Sequence, residues 1–176
     1  ELWIVEPGKE NNPKKITSYG AGYRYAISWS PDSKKLAFID KAGAIKVLDL
    51  GTNVTSNIDQ GLYFSHGNME GFTFSWSSDS RWLAYSRDLP NLHNAAFIYD
   101  TKEKKARQVT SGFYSCSNPV FDPQGKYLFV FSAQTTQPYY SDQDNTFIYA
   151  NSGRLAAIAL QKKTPSILLP KNDTVA

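Results

Sequence analysis

The chain has 176 residues, of which 41% are hydrophobic, 14% aromatic and 20% charged. Its formal net charge of +3 does not indicate nucleic-acid binding, because the basic residues gather at hairpin tips and no stacking aromatics alternate with them. No apolar run approaches the roughly 18 residues that a membrane-spanning helix needs. The composition therefore favours a soluble all-β domain and excludes nucleic-acid and membrane partners.

The first predicted elements are two short strands joined by a polar tip. Leu2 to Glu6 forms the first strand, the tip extends from Pro7 to Pro13, and Lys15 to Thr17 closes the hairpin. The same pair of elements returns later in the chain. In each of two later units the third strand ends in an acid, Asp49 or Asp100. A polar tip and a closing strand follow it.

The next element is a short phrase that occurs three times. It reads WSPDSKKLAF from Trp29, WSSDSRWLAY from Trp76 and FDPQGKYLFV from Phe121. The aromatic anchors are separated by 47 and 45 residues. A period of about 40 to 50 residues is typical of propeller blades.

Each phrase predicts a tight turn between two strands. Pro31 and Pro123 preset the backbone angle of a turn, Asp32 and Asp79 can bond nearby amides, and Gly125 accepts a positive φ. Apolar residues alternate at period two after the turn, as expected for a strand with one buried face. Each unit therefore has four short antiparallel strands.

The fold prediction is an all-β, partial β-propeller of about three and a half four-stranded blades. We predict a blade remnant at 1–19, blades at 20–61 and 62–112, and a last blade at 113–176 with an insertion from 133 to 153. Propellers close with 4 to 8 blades, so we expect a piece of a larger ring, the alternative being a complete four-bladed protein. Large aromatics are expected to fill the layers between blades: Trp29, Trp76 and Phe121.

The candidates for chemistry are isolated residues. His66 and His93 lie in polar loops without a G-x-S-x-G turn, and Cys116 precedes a strand with no second cysteine in the chain. Asp142 and Asp144 resemble the opening of a calcium loop but lack its glycine and distal glutamate. We therefore predict no catalytic residue, no metal and no cofactor.

The repeated phrase resembles that of TolB-like propellers, which the Tol-system protein, the prolyl-oligopeptidase relatives and the tricorn proteases share. The tail from Arg154 to Asp173, RLAAIALQKKTPSILLPKND, is similar to late blades of the second propeller of bacterial tricorn-type peptidases. The T-P-S triplet from Thr164, Pro170 and Asp173 matches the family pattern, whereas Asn172 stands where serine is common.

This resemblance implies a function in peptide breakdown. The second propeller of the family is seven-bladed, precedes the domains with the serine nucleophile and its histidine, and serves as a channel or filter for peptides. The chain holds none of those catalytic motifs, so it would be the non-catalytic part of a serine peptidase. The implied partners are peptides or unfolded polypeptide, the remaining blades, the catalytic domain and a second copy in a homo-oligomer. Exported bacterial members suggest a periplasmic location, with the cytoplasm as the alternative.

The channel interpretation selects the leading residues of the innermost strands, near the ring axis. They are Arg24 and Tyr25, Glu70 and Gly71, and Ser115 and Cys116. We predict that Arg24, Tyr25 and Glu70 contact the peptide backbone and termini, because a charged group can orient a peptide end. The alternative is that these residues only solvate the axial channel.

Two other functions stay open at this point. A TolB-like scaffold would bind partner proteins through the insertion and the hairpin tips, since loops on rigid scaffolds carry binding. The propeller of a prolyl-oligopeptidase relative would be followed by an α/β-hydrolase domain with a G-x-S-x-G motif.

Overall fold

The computed structural model describes residues 1–62, 69, 71–134, 138–140, 147–149 and 153–168, and these residues form strands, turns and loops without a helix. No helix that could cross a membrane is therefore found in this part of the chain. The strands are β1 (Trp3–Ile4), β2 (Lys14–Lys15), β3 (Arg24–Trp29), β4 (Lys35–Asp40), β5 (Ala44–Asp49), β6 (Val54–Gln60), β7 (Ser75–Trp76), β8 (Trp82–Asp88), β9 (Asn94–Asp100), β10 (Lys105–Gln108), β11 (Cys116–Phe121), β12 (Tyr127–Ser132), β13 (Pro138–Tyr140), β14 (Phe147–Tyr149) and β15 (Arg154–Ala159).

The strands assemble into separate antiparallel sheets that follow each other along the chain. A remnant of β1 and β2 comes first, the first blade is β3 to β6 in order, and the second blade is β7 to β10 in order. The third blade has the order β11-β12-β15, and the β13–β14 hairpin lies in the insertion between its second and third strands. The chain is thus an all-β, open arc of propeller blades, which confirms the predicted fold class. The blade boundaries drawn from the sequence stay a prediction.

The repeated phrase builds the same turn three times. Its fifth residue has a positive φ in each copy, at 59° for Ser33, 60° for Ser80 and 67° for Gly125. In the first two copies the serine after the tryptophan closes the turn. The Oγ of Ser30 accepts a bond from the amide of residue 35, and the Oγ of Ser77 accepts one from the amide of residue 82, each at 2.9 Å. The turn is therefore determined by local hydrogen bonds.

In the first two blades the acid at the end of the third strand stabilises the next hairpin. The carboxylate of Asp49 accepts hydrogen bonds from the amides of Gly51 and Thr52 at 3.0 and 2.9 Å. Asp100 accepts one from the amide of Lys102 at 2.8 Å and one from the amide of residue 103 at 3.2 Å. This local bonding explains why these two blades have an acid at the same point, where the third blade has Ala159.

The hydrophobic core is divided into layers between neighbouring sheets. The first and second blades enclose a cluster that includes Ile45, Leu83 and Tyr85, all fully buried. A second cluster, around Leu128 and Phe121, joins the second and third blades. The remnant contributes to a third cluster through Leu2, against the outer face of the first blade. Burial therefore depends on each blade having a neighbour.

The three aromatic anchors differ in burial. Phe121 is 9% exposed and Trp76 is half-buried against the core of the first two blades. Trp29 is 46% exposed, so its expected role as a buried wedge is wrong in this structure. The reason is the position of the remnant. Its residues pack on β4 and β5 through Leu36 and Leu48, and Trp29 on β3 is not part of this cluster.

Candidate functional site

The loops of the blades emerge on two opposite faces with different chemistry. Because the strands are antiparallel, loops that lead into an innermost strand share one face with turns that join second and third strands. We call this the aromatic face, residues 18–23, 41–43, 61–62, 89–93 and 111–115. The opposite surface is the basic face, residues 7–13, 31–34, 50–53, 78–81, 101–104, 122–126 and 161–164.

The aromatic face exposes large apolar side chains in every described blade. Leu92 is 73% exposed, and Tyr23 and Phe113 are each 71% exposed. Tyr19, Leu62 and Tyr114 are also exposed. Lys41 is the single Lys, Arg, Asp or Glu in these loops. Apolar side chains concentrated on loops at one side of a rigid scaffold are typical of an interaction surface.

The basic face has the opposite character. None of the large hydrophobic residues that the structure exposes lies in its loops. Cations outnumber acids there, and they are Lys9, Lys34, Arg81, Lys102, Lys104, Lys126, Lys162 and Lys163. The acids in the same loops are Glu10, Asp32, Asp79, Glu103 and Asp122. The two faces are therefore expected to bind different partners.

Arg24 and Tyr25 lie where the first blade meets the aromatic face. The guanidinium carbon of Arg24 lies 5.5 Å from the centre of the Tyr19 ring, and Nη1 donates to the carbonyls of Gly20 and Gly22. Tyr25 packs against the core and stacks on Tyr23 with 6.1 Å between ring centres. The loop thus holds Arg24 in place, next to tyrosines that stay exposed.

The other predicted contact residues are only partly brought together. Glu70 lies outside the described residues. Ser115 accepts a hydrogen bond at its Oγ from the amide of Asn94 at 3.2 Å. Cys116 is buried, and its Sγ donates to the Oγ of Ser132 at 3.5 Å, so it is a structural residue. Arg24 and Cys116 occupy equivalent positions in their blades. Each pairs with the last residue of the second strand of its own blade, at the end of β4 and of β12. The peptide contacts of Arg24, Tyr25 and Glu70 stay a prediction.

A groove of about 320 Å³ opens on the aromatic face where the three blades meet. Its lining includes the apolar Ile39 and Ile45, polar groups from Ser86, Asn94 and Asn118, and the charged Arg87 and Asp88. This volume lies at the lower end of the range for ligand sites, about 300 to 1,000 Å³. The groove combines apolar contact with amide, hydroxyl and charged groups, which suits an extended peptide.

Backbone bulges present the innermost strands to this groove. The pairing of β11 with β12 shifts register between Ser117 and Val120, and Asn118 inside this bulge has φ of 50°. Ala26 has φ of 52° at the same place in the first blade. The Oδ1 of Asn118 accepts a hydrogen bond from the hydroxyl of Thr73 at 3.3 Å. Such bulges redirect side chains and are common beside binding sites.

A buried polar network borders the groove. Asp59 on the first blade accepts bonds at Oδ2 from the Tyr85 hydroxyl and from Nε of Arg87 on the second blade, each at 2.8 Å. The Arg87 guanidinium also lies 4.2 Å from the centre of the Phe97 ring. Burial raises the pKa of Tyr85, and the charge of Asp59 adds to the effect. The tyrosine therefore stays a neutral donor, and the network fixes the first two blades together.

The described residues give no support to metal binding or nucleophilic catalysis. No group of three or more His, Cys, Asp or Glu side chains within them could hold a metal ion. The ring Nδ1 of His93 lies 3.1 Å from the carbonyl oxygen of Gly112, a contact within the loops. His66, Asp142 and Asp144 lie outside the described residues. Sequence reasoning missed Tyr23 and Phe113, although each lies in a glycine-containing loop that leads into an innermost strand.

Sequence comparisons identify relatives among tricorn-type proteins. The Streptomyces coelicolor protein named Tricorn protease homolog 1 is 23% identical over 82% of this chain and 13% of its own length. A Sulfurisphaera tokodaii protein named as a putative Tricorn-like protease C-terminal subunit is 27% identical over 74% of this chain and 14% of its own length. No protein-family model matches the chain. The chain thus spans about one seventh of these curated relatives.

Structural comparisons give the same answer for the fold. The crystal structure of the tricorn protease matches with a TM-score of 0.76 and 20% identity, over 94% of this chain and 16% of that one. TolB from Acinetobacter baumannii matches with a TM-score of 0.53 and 19% identity, over 80% of this chain and 35% of that one. The fold and its repeat define the chain as an arc of β-propeller blades. Its sequence is similar to tricorn-type proteins, as the resemblance of its repeat and tail predicts.

Proposed function

We propose that this chain is a non-catalytic propeller segment that guides peptides toward the serine-peptidase active site of a tricorn-like protein. The observation that carries the proposal is the aromatic face, which exposes aromatic and aliphatic side chains in loops of all three blades and also carries a groove. The names of the curated relatives support a peptidase as the parent protein.

The chemistry of this face fits a peptide of variable sequence. Exposed rings such as Tyr23 and Phe113 offer apolar contact area with little side-chain freedom to lose. The amides of Asn94 and Asn118 can bond peptide N–H and C=O groups, which every sequence has in common. Weak contacts spread over several loops would retain a chain and still let it move on.

The experiment replaces two exposed rings in the full-length protein, Tyr23→Ser and Phe113→Ser. Both side chains are largely solvent-exposed, so folding should be unchanged. We expect KM for long peptides to rise about threefold to tenfold while kcat stays the same, because the contacts contribute binding in the ground and transition states alike. Short peptides, which reach the active site without this face, should show no change.

A matched control tests whether removal of any exposed side chain has the same effect on KM. Lys104→Ala removes an exposed side chain from the basic face and should leave KM unchanged for peptides of any length. Arg24→Ala tests the residue predicted from the sequence and should raise KM more than it changes kcat. Unchanged KM values in Tyr23→Ser, Phe113→Ser and Arg24→Ala, with long and short peptides alike, would refute peptide guidance.

A further inference from the structure

A second and larger groove lies on the basic face, between the second and third blades. Its volume is about 640 Å³, well within the range of ligand sites. It is separate from the peptide groove described above, which opens on the opposite face. The apolar part of its lining comes from Trp82, Ile98, Val109, Phe121, Ile158 and Leu160.

One side chain of the repeat is missing at the edge of this groove. Between the first and second blades the Oγ of Ser80 accepts a hydrogen bond from the amide of Asp32 at 2.9 Å, which joins the two turns. Gly125 occupies the same position in the third blade and has no hydroxyl to offer the turn at Asp79. A Cβ placed on Gly125 would meet nothing within 4 Å, so the space beside it is open.

The rim of this groove is strongly basic. Two hairpin tips adjoin its lining. Residues 101–104, with Lys102 and Lys104, follow Asp100, which pairs with the lining residue Trp82. Residues 161–164, with Lys162 and Lys163, begin at the lining residue Gln161. The structure describes no ion pair for any of these four lysines. The corresponding tip of the first blade, residues 50–53, has no charged residue.

The acids around this rim are largely engaged. Asp100 pairs with Arg81 at 2.6 Å, and Glu103 pairs with Arg107 at 2.5 Å. Asp79 accepts bonds from the Ser77 hydroxyl and the Arg81 amide at 2.5 and 3.1 Å. The unpaired charge of the rim is therefore positive, and it surrounds an apolar floor.

We propose that this groove binds an acidic segment of a partner polypeptide that inserts one bulky apolar side chain. The apolar floor fits an aromatic or branched side chain, and burial of one such side chain favours binding by about tenfold or more. The lysines attract the acidic residues on either side, which accelerates association and makes it dependent on salt. Charge complementarity selects this partner over a basic or neutral one.

The experiment measures binding of short fluorescent peptides to the full-length protein by fluorescence anisotropy. The probe is a run of glutamates around one phenylalanine, and two controls replace the phenylalanine by alanine or the glutamates by lysines. We expect the probe to bind, the alanine peptide to bind about tenfold more weakly, and the lysine peptide to show no binding. Affinity for the probe should fall steeply as salt is added.

Two variants test the floor and the rim separately. Gly125→Ser adds a polar side chain to the groove at a φ that Ser33 and Ser80 adopt, so it should weaken probe binding about threefold without unfolding the protein. The charge reversal Lys104→Glu with Lys163→Glu should weaken binding and reduce its salt dependence. Lys34→Glu, on the same face in the first blade, is the matched control and should change neither.

Each alternative result contradicts the proposal. Failure of the probe to bind, equal binding of the phenylalanine and alanine peptides, or normal binding to Gly125→Ser would exclude insertion into the groove. Equal binding of the lysine peptide would exclude selection by charge. Concentration-dependent dimers that bury this face, detected by light scattering and abolished by Gly125→Ser, would assign the groove to a second copy of the chain instead. Peptide-cleavage kinetics should be unaffected by Gly125→Ser, so this test is independent of the proposed peptide guidance.

Discussion

The two junctions between described blades come from the same repeat but are closed by different side chains. At the first junction Tyr85 and Arg87 from the second blade meet Asp59, and Ser80 bonds the neighbouring turn. In the third blade Val130 stands at the position of Tyr85, Ser132 at that of Arg87, and Gly125 at that of Ser80. The strands of the second junction are joined by the Phe121 amide, which donates to the Oγ of Ser75 at 3.0 Å. No hydrogen bond like that of Ser80 joins the described turns there, and an apolar groove lies open.

This difference shows which residues of a repeat build the scaffold and which give each blade its own surface. The serine, aspartate and acid positions that form turns recur because each turn needs the same hydrogen bonds. The positions that face a neighbouring blade vary, because each junction is a separate contact between two sheets. Function can therefore change at one junction without disturbing the blades.

The largest effect is expected from Asp59→Ala, which removes the acceptor of the first junction. The variant leaves the buried Tyr85 hydroxyl and the Arg87 guanidinium without their shared carboxylate. We expect the free energy of unfolding to fall by about 3 kcal/mol, since loss of one partner leaves a largely buried charge uncompensated. Urea denaturation followed by tryptophan fluorescence measures this loss.

A matched variant distinguishes the network from simple packing. Asp59→Asn keeps an acceptor for Tyr85 but removes the negative charge, so it should lose less stability than Asp59→Ala. Ser132→Ala, at the position of the second junction that corresponds to Arg87, should cost about 1 kcal/mol or less. Equal losses for Asp59→Ala and Ser132→Ala would show that the two junctions do not differ.

The next effect concerns two tryptophans that occupy the same place in successive copies of the phrase. Trp76 is half-buried at the first junction, and its Nε1 donates to the carbonyl of Ser28 at 3.4 Å. Trp76→Ala should lower the free energy of unfolding by about 2 kcal/mol, less than the 3 to 5 typical of a fully buried aromatic. Trp29→Ala should cost about 1 kcal/mol or less, because Trp29 is 46% exposed. An equal loss at both positions would contradict the difference in burial.

A smaller effect is expected from the ion pair of the second blade, and it depends on pH. The two hydrogen bonds from Arg81 lower the pKa of Asp100 to about 2. Because the unfolded chain has a value of about 3.9, the stabilisation is fully present above that pH and is lost as the pH falls toward 2. Arg81→Met should raise the pKa of Asp100 by about one unit and flatten this part of the curve. Thermal midpoints measured from pH 2 to 7 test it.

The first blade supplies the control for this prediction. Asp49 corresponds to Asp100 but is bonded by the amides of Gly51 and Thr52, without an arginine. Lys34→Met, the change that corresponds to Arg81→Met, should therefore alter the pH dependence of stability much less. The hydrogen bond from Ser30 lowers the pKa of Asp32 most, and the charge of Lys34 adds little. A flattened curve in Lys34→Met would mean that the general charge of the turns, and not the bidentate pair, determines acid stability.

The fold was predictable because its signals are local. Pro31, Gly125 and Asp49 each determine a turn through their own backbone angles or nearest amides, so the repeat could be read as hairpins without knowledge of the packing. The burial of Trp29 was predicted wrongly because it depends on which strands of a neighbouring sheet extend over it. A pattern along one strand does not contain that information.

The candidate site was less predictable for the same physical reason. Counting back from the repeated phrase identified Arg24 and Tyr25, which the structure places beside the aromatic face. The exposure of Tyr23 and Phe113 depends on loops from other blades, and an aromatic residue in a sequence is more often buried than exposed. The change from Ser80 to Gly125 is visible in the alignment of the phrases, but its consequence appears only when the turns are side by side.

The smallest expected effect comes from exchanging serine and glycine at positions 80 and 125. Ser80→Gly removes the hydrogen bond to the amide of Asp32, worth about 1 kcal/mol, but glycine tolerates the positive φ at this position better than serine does. The net loss of stability should therefore be a few tenths of a kcal/mol. The reciprocal Gly125→Ser should lower stability by about 0.5 kcal/mol or less, since serine is slightly strained at this left-handed φ and its Cβ would meet no atom within 4 Å. Hydrogen exchange of the amides of residues 32 and 79 measures both. The amide of Asp32 should exchange faster in Ser80→Gly, whereas that of Asp79 should keep its rate in Gly125→Ser. An unchanged rate for Asp32 would show that the Ser80 hydroxyl does not protect the first junction.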